Sequence, residues 1–174
     1  SILVKQTLDD SEGRGIEELA FADGTVWNRD QIRTAVFEQQ MTTGDDTIDG
    51  SNVADTLAGG RGNDSLYGGN GGDTFRYLRG DGHDVVSEWG YGAGTDKVVL
   101  VDINPAGVSL VRQGGDIKVV IAESSPGAGD GGSILLKAEV DWNSIEQLVF
   151  ADGTVWTQAA MRTMVINNAG TAGN

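Results

Sequence analysis

The chain has 174 residues, enough for one domain or two small ones, and its 26 acidic residues against 12 basic ones give a formal net charge of −14. This acidic surface argues against a nucleic-acid partner, because phosphates would be repelled. The absence of cysteine and the single histidine exclude disulfides, thiolate sites and histidine clusters, which leaves the oxygen ligands that suit Ca²⁺ or Mg²⁺.

The first 40 residues are predicted to form strands followed by a helix. Strand patterns occupy residues 2–8, 17–21 and 25–27. The Asp23-Gly24 pair predicts a tight turn between the last two strands. Asn28 and Gln31 have the spacing of a capping box for a helix near 29–39. The apolar face of this helix is predicted to carry Ile32, Ala35 and Val36.

Nine-residue repeats follow between residues 41 and 87. GGRGNDSLY from Gly59 and GGNGGDTFR from Gly68 carry glycine at positions 1, 2 and 4, aspartate at position 6 and a large apolar residue at position 8. The segments 41–49, 50–58 and 79–87 keep the last two features, and 92–100 is a degenerate copy. The position-6 aspartates are Asp46, Asp55, Asp64, Asp73, Asp84 and, in the degenerate copy, Asp96. The position-8 residues are Ile48, Leu57, Leu66, Phe75 and Val86.

The chemistry expected at each repeat position follows from its residue type. Glycine permits backbone conformations closed to other residues and lets a ligand approach closely, and aspartate supplies a hard carboxylate oxygen. Positions 2, 4 and 6 share one face of an extended segment. One loop therefore offers about three oxygen atoms, half of the six to eight that Ca²⁺ takes, so two stacked loops complete one site. The position-8 side chains are predicted to stack in an apolar column.

Residues 101–166 are predicted to flank and cap the repeats. Strand patterns occupy 108–112, 117–122, 134–140, 146–150 and 154–156. The first two are predicted to form a hairpin, and residues 123–132 a flexible loop. Thr157 is a predicted cap for a short helix that carries Met161, Met164 and Val165. Residues 167–174 are predicted to form a disordered tail.

A longer repeat links the two ends of the chain. IEELAFADGTVW at 16–27 returns as IEQLVFADGTVW at 145–156, and SILVK at 1–5 returns as SILLK at 133–137. Residues 1–40 are therefore predicted to be the closing segment of a preceding block. Residues 41–100 would then be the repeat region of the next block in a longer, multi-block protein.

The repeats resemble those of the RTX (repeats-in-toxin) haemolysin-type calcium-binding family, whose GGxGxDxUx nonapeptide forms a calcium-binding parallel β-helix. The resemblance implies a predominantly all-β fold: a right-handed parallel β-roll with flanking antiparallel strands and one or two short capping helices. It also implies about three to five Ca²⁺ ions, each between loops two repeats apart. The implied aspartate pairs are Asp46 with Asp64, Asp55 with Asp73, and Asp64 with Asp84. Asp96 is a further implied ligand, and the implied carbonyl ligands are those of Gly44, Gly60, Gly62, Gly69, Gly71, Gly80 and Gly82.

The resemblance further implies a module of a secreted toxin or adhesin, exported by type I secretion machinery and folded by extracellular calcium. We expect a monomer with no membrane span, because no apolar run reaches about 18 residues. We expect no enzymatic activity, since His83 is the single histidine and no GxSxG motif occurs. Ser51 and Val53 replace both inner glycines of one repeat, and Met41-Thr42 replace the first pair of another, so these loops are expected to be strained or to lack an ion.

Two other functions remain open. Calcium could only rigidify an adhesive or glycan-binding face that includes Trp89 or Tyr91, or the chain could be the accessory tail of an extracellular enzyme whose catalysis lies elsewhere. Trp27 and Trp156 precede predicted helices at equivalent places, so they are expected to pack in the core rather than to form a sugar platform.

Overall fold

The computed structural model describes residues 16–88, 94–137 and 145–171, with side chains as far as Asn167. The described elements, in chain order, are β1 (Glu18–Ala20), β2 (Val26–Asn28), α1 (Arg29–Gln40), β3 (Thr47–Asp49), β4 (Thr56–Ala58), β5 (Ser65–Tyr67), β6 (Thr74–Tyr77), β7 (His83–Ser87), β8 (Lys97–Leu100), β9 (Val108–Gln113), β10 (Asp116–Ile121), β11 (Gly132–Leu136), β12 (Gln147–Val149), β13 (Val155–Thr157) and α2 (Gln158–Thr171). The protein is mostly strand, as predicted. Within the described ranges, no helix has the length and apolar character needed to cross a bilayer.

Successive repeats contribute their strands to two sheets in turn. The first sheet has the order β3-β5-β7-β11-β10-β9 and the second has the order β13-β12-β8-β6-β4. In the first sheet the repeat strands are parallel, with Ile48 opposite Leu66 and Leu66 opposite Val86. In the second sheet the same parallel register aligns Leu57, Phe75 and Val98. Position 8 of each repeat therefore lies beside position 8 of the repeat after next.

Both sheets continue into the flanking segments, where the strand direction changes. β11 pairs in parallel with β7, and β12 pairs in parallel with β8. Beyond them the pairing is antiparallel, between β11 and β10, β10 and β9, and β12 and β13. The predicted hairpin at 108–112 and 117–122 is confirmed. Each sheet is consequently mixed, parallel where the repeats stack and antiparallel where the flanking segments adjoin them.

The position-8 side chains are the centre of the hydrophobic core. Each is at most 2% exposed, and they are Ile48, Leu57, Leu66, Phe75 and Val86. The same buried cluster extends into the flanking segments through Ile117, Ile134, Leu148, Phe150 and Met161. Because a single apolar residue per repeat contributes to this column, each turn is covered by its neighbours rather than by a core of its own.

Helix α1 begins at the predicted capping box. Asn28 Oδ1 accepts the N–H of Gln31 at 2.9 Å, and Gln31 Oε1 accepts the N–H of Asn28 at 2.9 Å. The residues that α1 buries most fully are Arg33 and Phe37. The helix lies against β3 and β4 and turns Arg33 toward the aspartate that precedes β4. The residues of the predicted face are only half-buried: Ile32, Ala35 and Val36.

Helix α2 packs against β9 and β13. Thr157 Oγ1 accepts the N–H of Ala160 at 3.3 Å, in agreement with its predicted role as the cap. Met161 and Val165 are buried, and Met164 packs against the same core. The helix continues to Thr171, whereas the sequence predicts a disordered tail from residue 167. Once a helix is nucleated, each added residue gains a backbone hydrogen bond, which extends it past weak helix formers.

The two copies of the longer repeat form similar hairpins in different surroundings. Edge-to-face contacts join Phe21 to Trp27, with ring centroids 4.9 Å apart, and Phe150 to Trp156, with centroids 4.6 Å apart. Phe150 is 3% exposed, whereas Phe21 is 39% exposed. The difference follows from the pairing, since β12 lies between β13 and β8, while among the described strands β1 pairs with β2 alone. The predicted strand at 2–8 lies outside the described residues.

Candidate metal centre

Three position-6 aspartates are linked through the turns that lead into the first sheet. The N–H of Asp46 donates to Asp64 Oδ1 at 2.8 Å, and the N–H of Asp64 donates to Asp84 Oδ1 at 3.0 Å. We call Asp46, Asp64 and Asp84 the first ladder. Each link joins residues of neighbouring turns, because the parallel register places position 6 of one repeat beside position 6 of the repeat after next.

A second ladder runs through the turns that lead into the second sheet. The N–H groups of Asp55 and Asp73 donate to Oδ1 of Asp73 and Asp96, respectively, both at 2.7 Å. The N–H of Asp96 in turn donates to Glu146 Oε2 at 2.7 Å. We call Asp55, Asp73, Asp96 and Glu146 the second ladder. The structure thus brings together all three predicted aspartate pairs and places Asp96 in register with them.

The aspartates of the two glycine-rich repeats have carboxylate oxygens that no protein group satisfies. Asp64 is 1% exposed and Asp73 is 0% exposed. Their Oδ1 atoms accept ladder hydrogen bonds, but their buried Oδ2 atoms have no hydrogen-bond partner. A buried, unpartnered carboxylate oxygen is costly unless a cation or a proton occupies the space beside it. These two oxygen atoms therefore indicate cation positions, and their chemistry fits Ca²⁺.

The ladder aspartates are held in a setting that disfavours their charge. Burial is the largest cause, and it raises the pKa of Asp73 to about 6 and the pKa of Asp84 to about 7. The negative charges of neighbouring carboxylates add to the increase, from Asp55 at Asp73 and from Asp64 at Asp84. Burial also raises the pKa values of Asp64 and Asp96. A cation between the turns would oppose both effects.

The position-1 glycines of the two glycine-rich repeats lie against these carboxylates. A Cβ atom at Gly59 would collide with Asp64 Oδ2, and a Cβ atom at Gly68 would come within 2.5 Å of Asp73 Oδ2. Neither glycine has a positive φ, so the requirement is for space rather than for backbone conformation. The glycines at residues 59 and 68 therefore let the buried carboxylates of Asp64 and Asp73 approach the backbone of the neighbouring loop closely.

The predicted carbonyl ligands differ in their availability. Six of them have positive φ: Gly60, Gly62, Gly69, Gly71, Gly80 and Gly82. The carbonyl of Gly82 accepts the N–H of Ser133 at 2.9 Å and the hydroxyl of Tyr77 at 2.8 Å. Both of its lone pairs are thereby used within the protein, so this carbonyl is less available to an ion than that of Gly62, and its role as a ligand stays a prediction. The carbonyl of Gly62 accepts one hydrogen bond, from the N–H of His83 at 3.3 Å, and keeps a second lone pair.

In the first two repeats, a hydroxyl group of the same loop donates a hydrogen bond to the Oδ2 atom of the aspartate. Thr42 Oγ1 donates to Asp46 Oδ2 at 2.9 Å, and Ser51 Oγ donates to Asp55 Oδ2 at 2.8 Å. Both hydroxyl residues stand at position 2, where the later repeats have glycine. Gly44, another predicted carbonyl ligand, donates its N–H to Thr42 Oγ1 at 3.1 Å. These contacts favour the expectation that the loops of residues 41–58 hold no ion of their own.

The sequence did not single out four charged residues that the structure places at the ladders: Arg33, Asp81, Glu88 and Glu146. Glu146 ends the second ladder, and Arg33 approaches Asp55. Asp81 is 8% exposed, its Oδ2 accepts the N–H of Leu78 at 2.7 Å, and burial raises its pKa. None of the four occupies position 6 of a repeat, so the nine-residue spacing could not have found them. Trp89 and Tyr91 lie outside the described residues.

Family comparisons agree with the placement of the repeats and of the flanking segments. A model of the RTX calcium-binding nonapeptide repeat (4 copies) matches residues 42–75 and 49–86. A model of the haemolysin-type calcium binding protein related domain matches residues 1–31 and 129–160, which contain the two copies of the longer repeat. No curated protein matches the chain. With aspartates spaced and stacked as calcium-binding nonapeptides require, the chain belongs to the RTX haemolysin-type calcium-binding repeat family.

Proposed function

We propose that this chain is a noncatalytic module of a secreted protein, a right-handed parallel β-roll that folds when calcium binds outside the cell. The observation that carries the proposal is the pair of buried carboxylate oxygens, Asp64 Oδ2 and Asp73 Oδ2, that have no hydrogen-bond partner. The parallel register of the repeats supports the β-roll, since stacked turns bring the aspartates of alternate repeats together. The right hand is the strongly preferred one for parallel connections.

The two ladders would hold ions at separate places. In the first ladder, Asp64 and Asp84 would supply carboxylate oxygens, and Gly62 would supply a carbonyl. In the second ladder, Asp73 and Asp96 would supply the carboxylates. Calcium bound there would neutralise the negative charge that the stacked turns bring together. It would also bridge turns whose shared apolar column has only one residue per repeat.

The ions would supply much of the stability of the fold. With a dissociation constant of about 10⁻⁴ M and calcium at about 1 mM, each occupied site stabilises the folded state by about 1.4 kcal/mol. Three to five such sites contribute about 4 to 7 kcal/mol, comparable with the whole stability of a domain. In a cytosol poor in calcium this contribution disappears and the carboxylates repel one another. We therefore expect the chain to be unfolded and competent for export inside the cell, where calcium is scarce, and folded outside it.

We infer from the family that the longer parent protein uses type I secretion machinery, and that the module acts as a monomer with a structural role in folding after export. The absence of catalysis is part of the proposal. The exposed His83 lies with Nδ1 3.0 Å from Ser133 Oγ, but Ser133 is buried in β11 and its hydroxyl is not presented to a substrate. The glycan-binding alternative depends on Trp89 and Tyr91, and no contact of a described residue favours it.

Far-UV circular dichroism and calorimetry test the proposal together. The calcium-free chain in EDTA is expected to lack most of its β signal, and calcium is expected to restore the signal with a stoichiometry above one ion per chain. Magnesium at the same concentration should restore much less, because Mg²⁺ gives up its hydration shell reluctantly. A chain that is fully β-structured in EDTA, or that takes up no calcium, would contradict the proposal.

A matched pair of variants locates the binding. Asp64→Asn keeps an oxygen for the ladder hydrogen bond but removes the buried charge, so it is expected to eliminate one bound ion and to raise the calcium concentration needed for folding. Asp49→Asn makes the same change on an exposed side chain of β3 and should leave both quantities unchanged. Equal behaviour of the two variants would argue against a site at Asp64.

A further inference from the structure

Glu88 is an acidic residue that the nonapeptide pattern does not explain. It directly follows β7, at the place where Gly59 and Gly68 follow β4 and β5. A glutamate therefore stands where the regular repeats begin their loop with glycine. Its carboxylate reaches the second ladder, where ligand oxygens of Asp73, Glu88 and Asp96 all lie within 4.8 Å of one another.

Two further observations show that this cluster is shaped to hold a cation. Asp73 is 0% exposed, and its Oδ2 has no hydrogen-bond partner. Gly68, one turn away, provides the space for the cluster: a Cβ atom there would collide with Glu88 Oε2 and come within 2.5 Å of Asp73 Oδ2. Only glycine at this position lets both carboxylates enter the same space.

The first ladder lacks this arrangement. At Gly59 the three atoms nearest to an added Cβ all belong to Asp64. Among the residues that the structure describes, a group of three carboxylates that could hold a metal ion occurs at the second ladder and not at the first. The second ladder therefore gathers three carboxylates: Glu88 and Asp96 from the loop between β7 and β8, and Asp73 from the loop one turn earlier. Three negative charges this close together repel one another strongly unless a multivalent cation neutralises them.

We propose that Asp73, Glu88 and Asp96 form a three-carboxylate calcium site that binds more tightly than the other sites of the chain and fills first. The inference rests on the proposed function, and it adds a ligand that the repeat itself does not supply. Calcium affinity rises with the number of charged ligands. An ion held here joins both ends of the β7–β8 loop to the preceding turn, so its binding would order the second ladder before the first.

Calorimetric titration of the full chain with calcium tests the site. Glu88→Gln keeps the size and polarity of the side chain but removes its charge, and is expected to weaken the tightest binding phase at least about tenfold. Glu38→Gln is the matched control, because Glu38 is exposed on α1 and the charge change is the same. Its isotherm should superimpose on that of the unaltered chain.

A second variant keeps the test decisive if Glu88→Gln folds poorly. Glu88→Gly restores the residue of the regular repeats, so it is expected to fold at saturating calcium while losing the same tight phase. If the unaltered chain binds calcium but both Glu88 variants bind it as tightly, the three-carboxylate site is overturned while the proposed function stands. The alternative is that a shared proton, rather than an ion, holds the carboxylates of Asp73 and Glu88 together. In that case Glu88→Gln would bind calcium as well as the unaltered chain or better, and this result would also overturn the three-carboxylate site. If the unaltered chain binds no calcium, the proposed function itself fails.

Discussion

Arg33 Nε lies 3.2 Å from Asp55 Oδ1, and the side chain of Asp55 is completely buried. This oxygen accepts no directed hydrogen bond, so the contact is a charge–charge interaction. Asp55 is the first member of the second ladder, at the end of the sheet formed by β4. Helix α1 thus brings a fixed positive charge to the end of a row of carboxylates.

Replacing Arg33 should destabilise the fold, because the buried carboxylate of Asp55 then loses the positive charge that neutralises it. Arg33→Met keeps much of the length of the side chain but removes its charge, and is expected to lower the free energy of unfolding by about 3 kcal/mol, since a buried charge is left unpaired. Urea unfolding at saturating calcium measures the effect. Adding Asp55→Asn to Arg33→Met should recover part of the loss, because the unpaired charge is then gone.

The exposed partner of the same arginine provides the control. Asp30 also forms an ion pair with Arg33, but its side chain is 80% exposed. Asp30→Asn is therefore expected to cost less than about 1 kcal/mol. Losses of equal size in Arg33→Met and Asp30→Asn would show that the buried contact with Asp55 has no special weight.

The raised pKa values predict how the calcium-free protein responds to pH. Asp73 with a pKa of about 6 and Asp84 with a pKa of about 7 hold protons in the folded chain that the unfolded chain releases near 3.8. The folded state then binds more protons, so its stability falls as pH rises from about 4 to about 7. The contribution of Asp84 is at most about 4 kcal/mol. Calcium affinity should change in the opposite direction, because the ion competes with those protons.

Circular dichroism of calcium-stripped protein between about pH 4 and about pH 7.5 measures this dependence. The β signal should be largest at the acidic end and decrease as pH rises. Asp84→Asn, which cannot ionise, should flatten the upper part of the curve. A β signal that increases with pH in the absence of calcium would contradict the prediction.

The close contact between Gly59 and the Asp64 carboxylate predicts that two glycine substitutions differ in their effect on stability. In Gly59→Ala the new methyl group collides with the carboxylate of Asp64, which is expected to destabilise the calcium-bound fold by about 1–3 kcal/mol. In Gly44→Ala the nearest atom is Thr42 Oγ1 at 3.8 Å, an ordinary contact, so little change is expected. Calcium titrations monitored by circular dichroism compare the two. A harmless Gly59→Ala would show that the Asp64 carboxylate can move without loss.

The end of the second ladder should depend on an acceptor at residue 146. Glu146→Ala leaves the N–H of Asp96 without its acceptor and is expected to cost about 1–3 kcal/mol, whereas Glu146→Gln retains an oxygen and should cost less. Thermal unfolding at fixed calcium distinguishes them. Deletion of residues 141–174 removes Glu146 together with β12 and should weaken calcium-induced folding further. Full ellipticity in that truncated chain would argue against a capping role for the segment.

The features that the sequence predicted well depend on residues with regular or local spacing. The capping box of α1 and the hairpin turns are determined by residues two or three positions apart. The ladders followed from the nine-residue period, because a constant spacing fixes the register of parallel strands. One insertion of two residues, before Arg79, did not disturb it: Asp84 still joins Asp64.

The features that the sequence missed arise from contacts without a period. Glu146 meets Asp96 across 50 positions, through the pairing of β12 with β8. Arg33 lies outside the apolar face that the sequence of α1 indicates, and its contact with Asp55 joins the helix to a repeat 22 positions later. The carbonyl of Gly82 accepts hydrogen bonds from β11 and from a tyrosine hydroxyl, which the repeat pattern does not indicate. In each case the partner comes from a segment that the repeat does not encode.

The duplicated hairpin has a consequence for how such proteins grow. One copy, β12–β13, forms the end of a five-stranded sheet, and its Phe150 is buried. The other copy, β1–β2, is a separate two-stranded sheet, and its Phe21 is exposed to solvent. Because the two copies have nearly the same sequence, whatever strand adjoins β1 in a tandem array would meet a surface already suited to it. Blocks of this kind can then be joined in tandem. Each added block contributes further calcium sites, while the number of exposed sheet ends in the whole array stays the same.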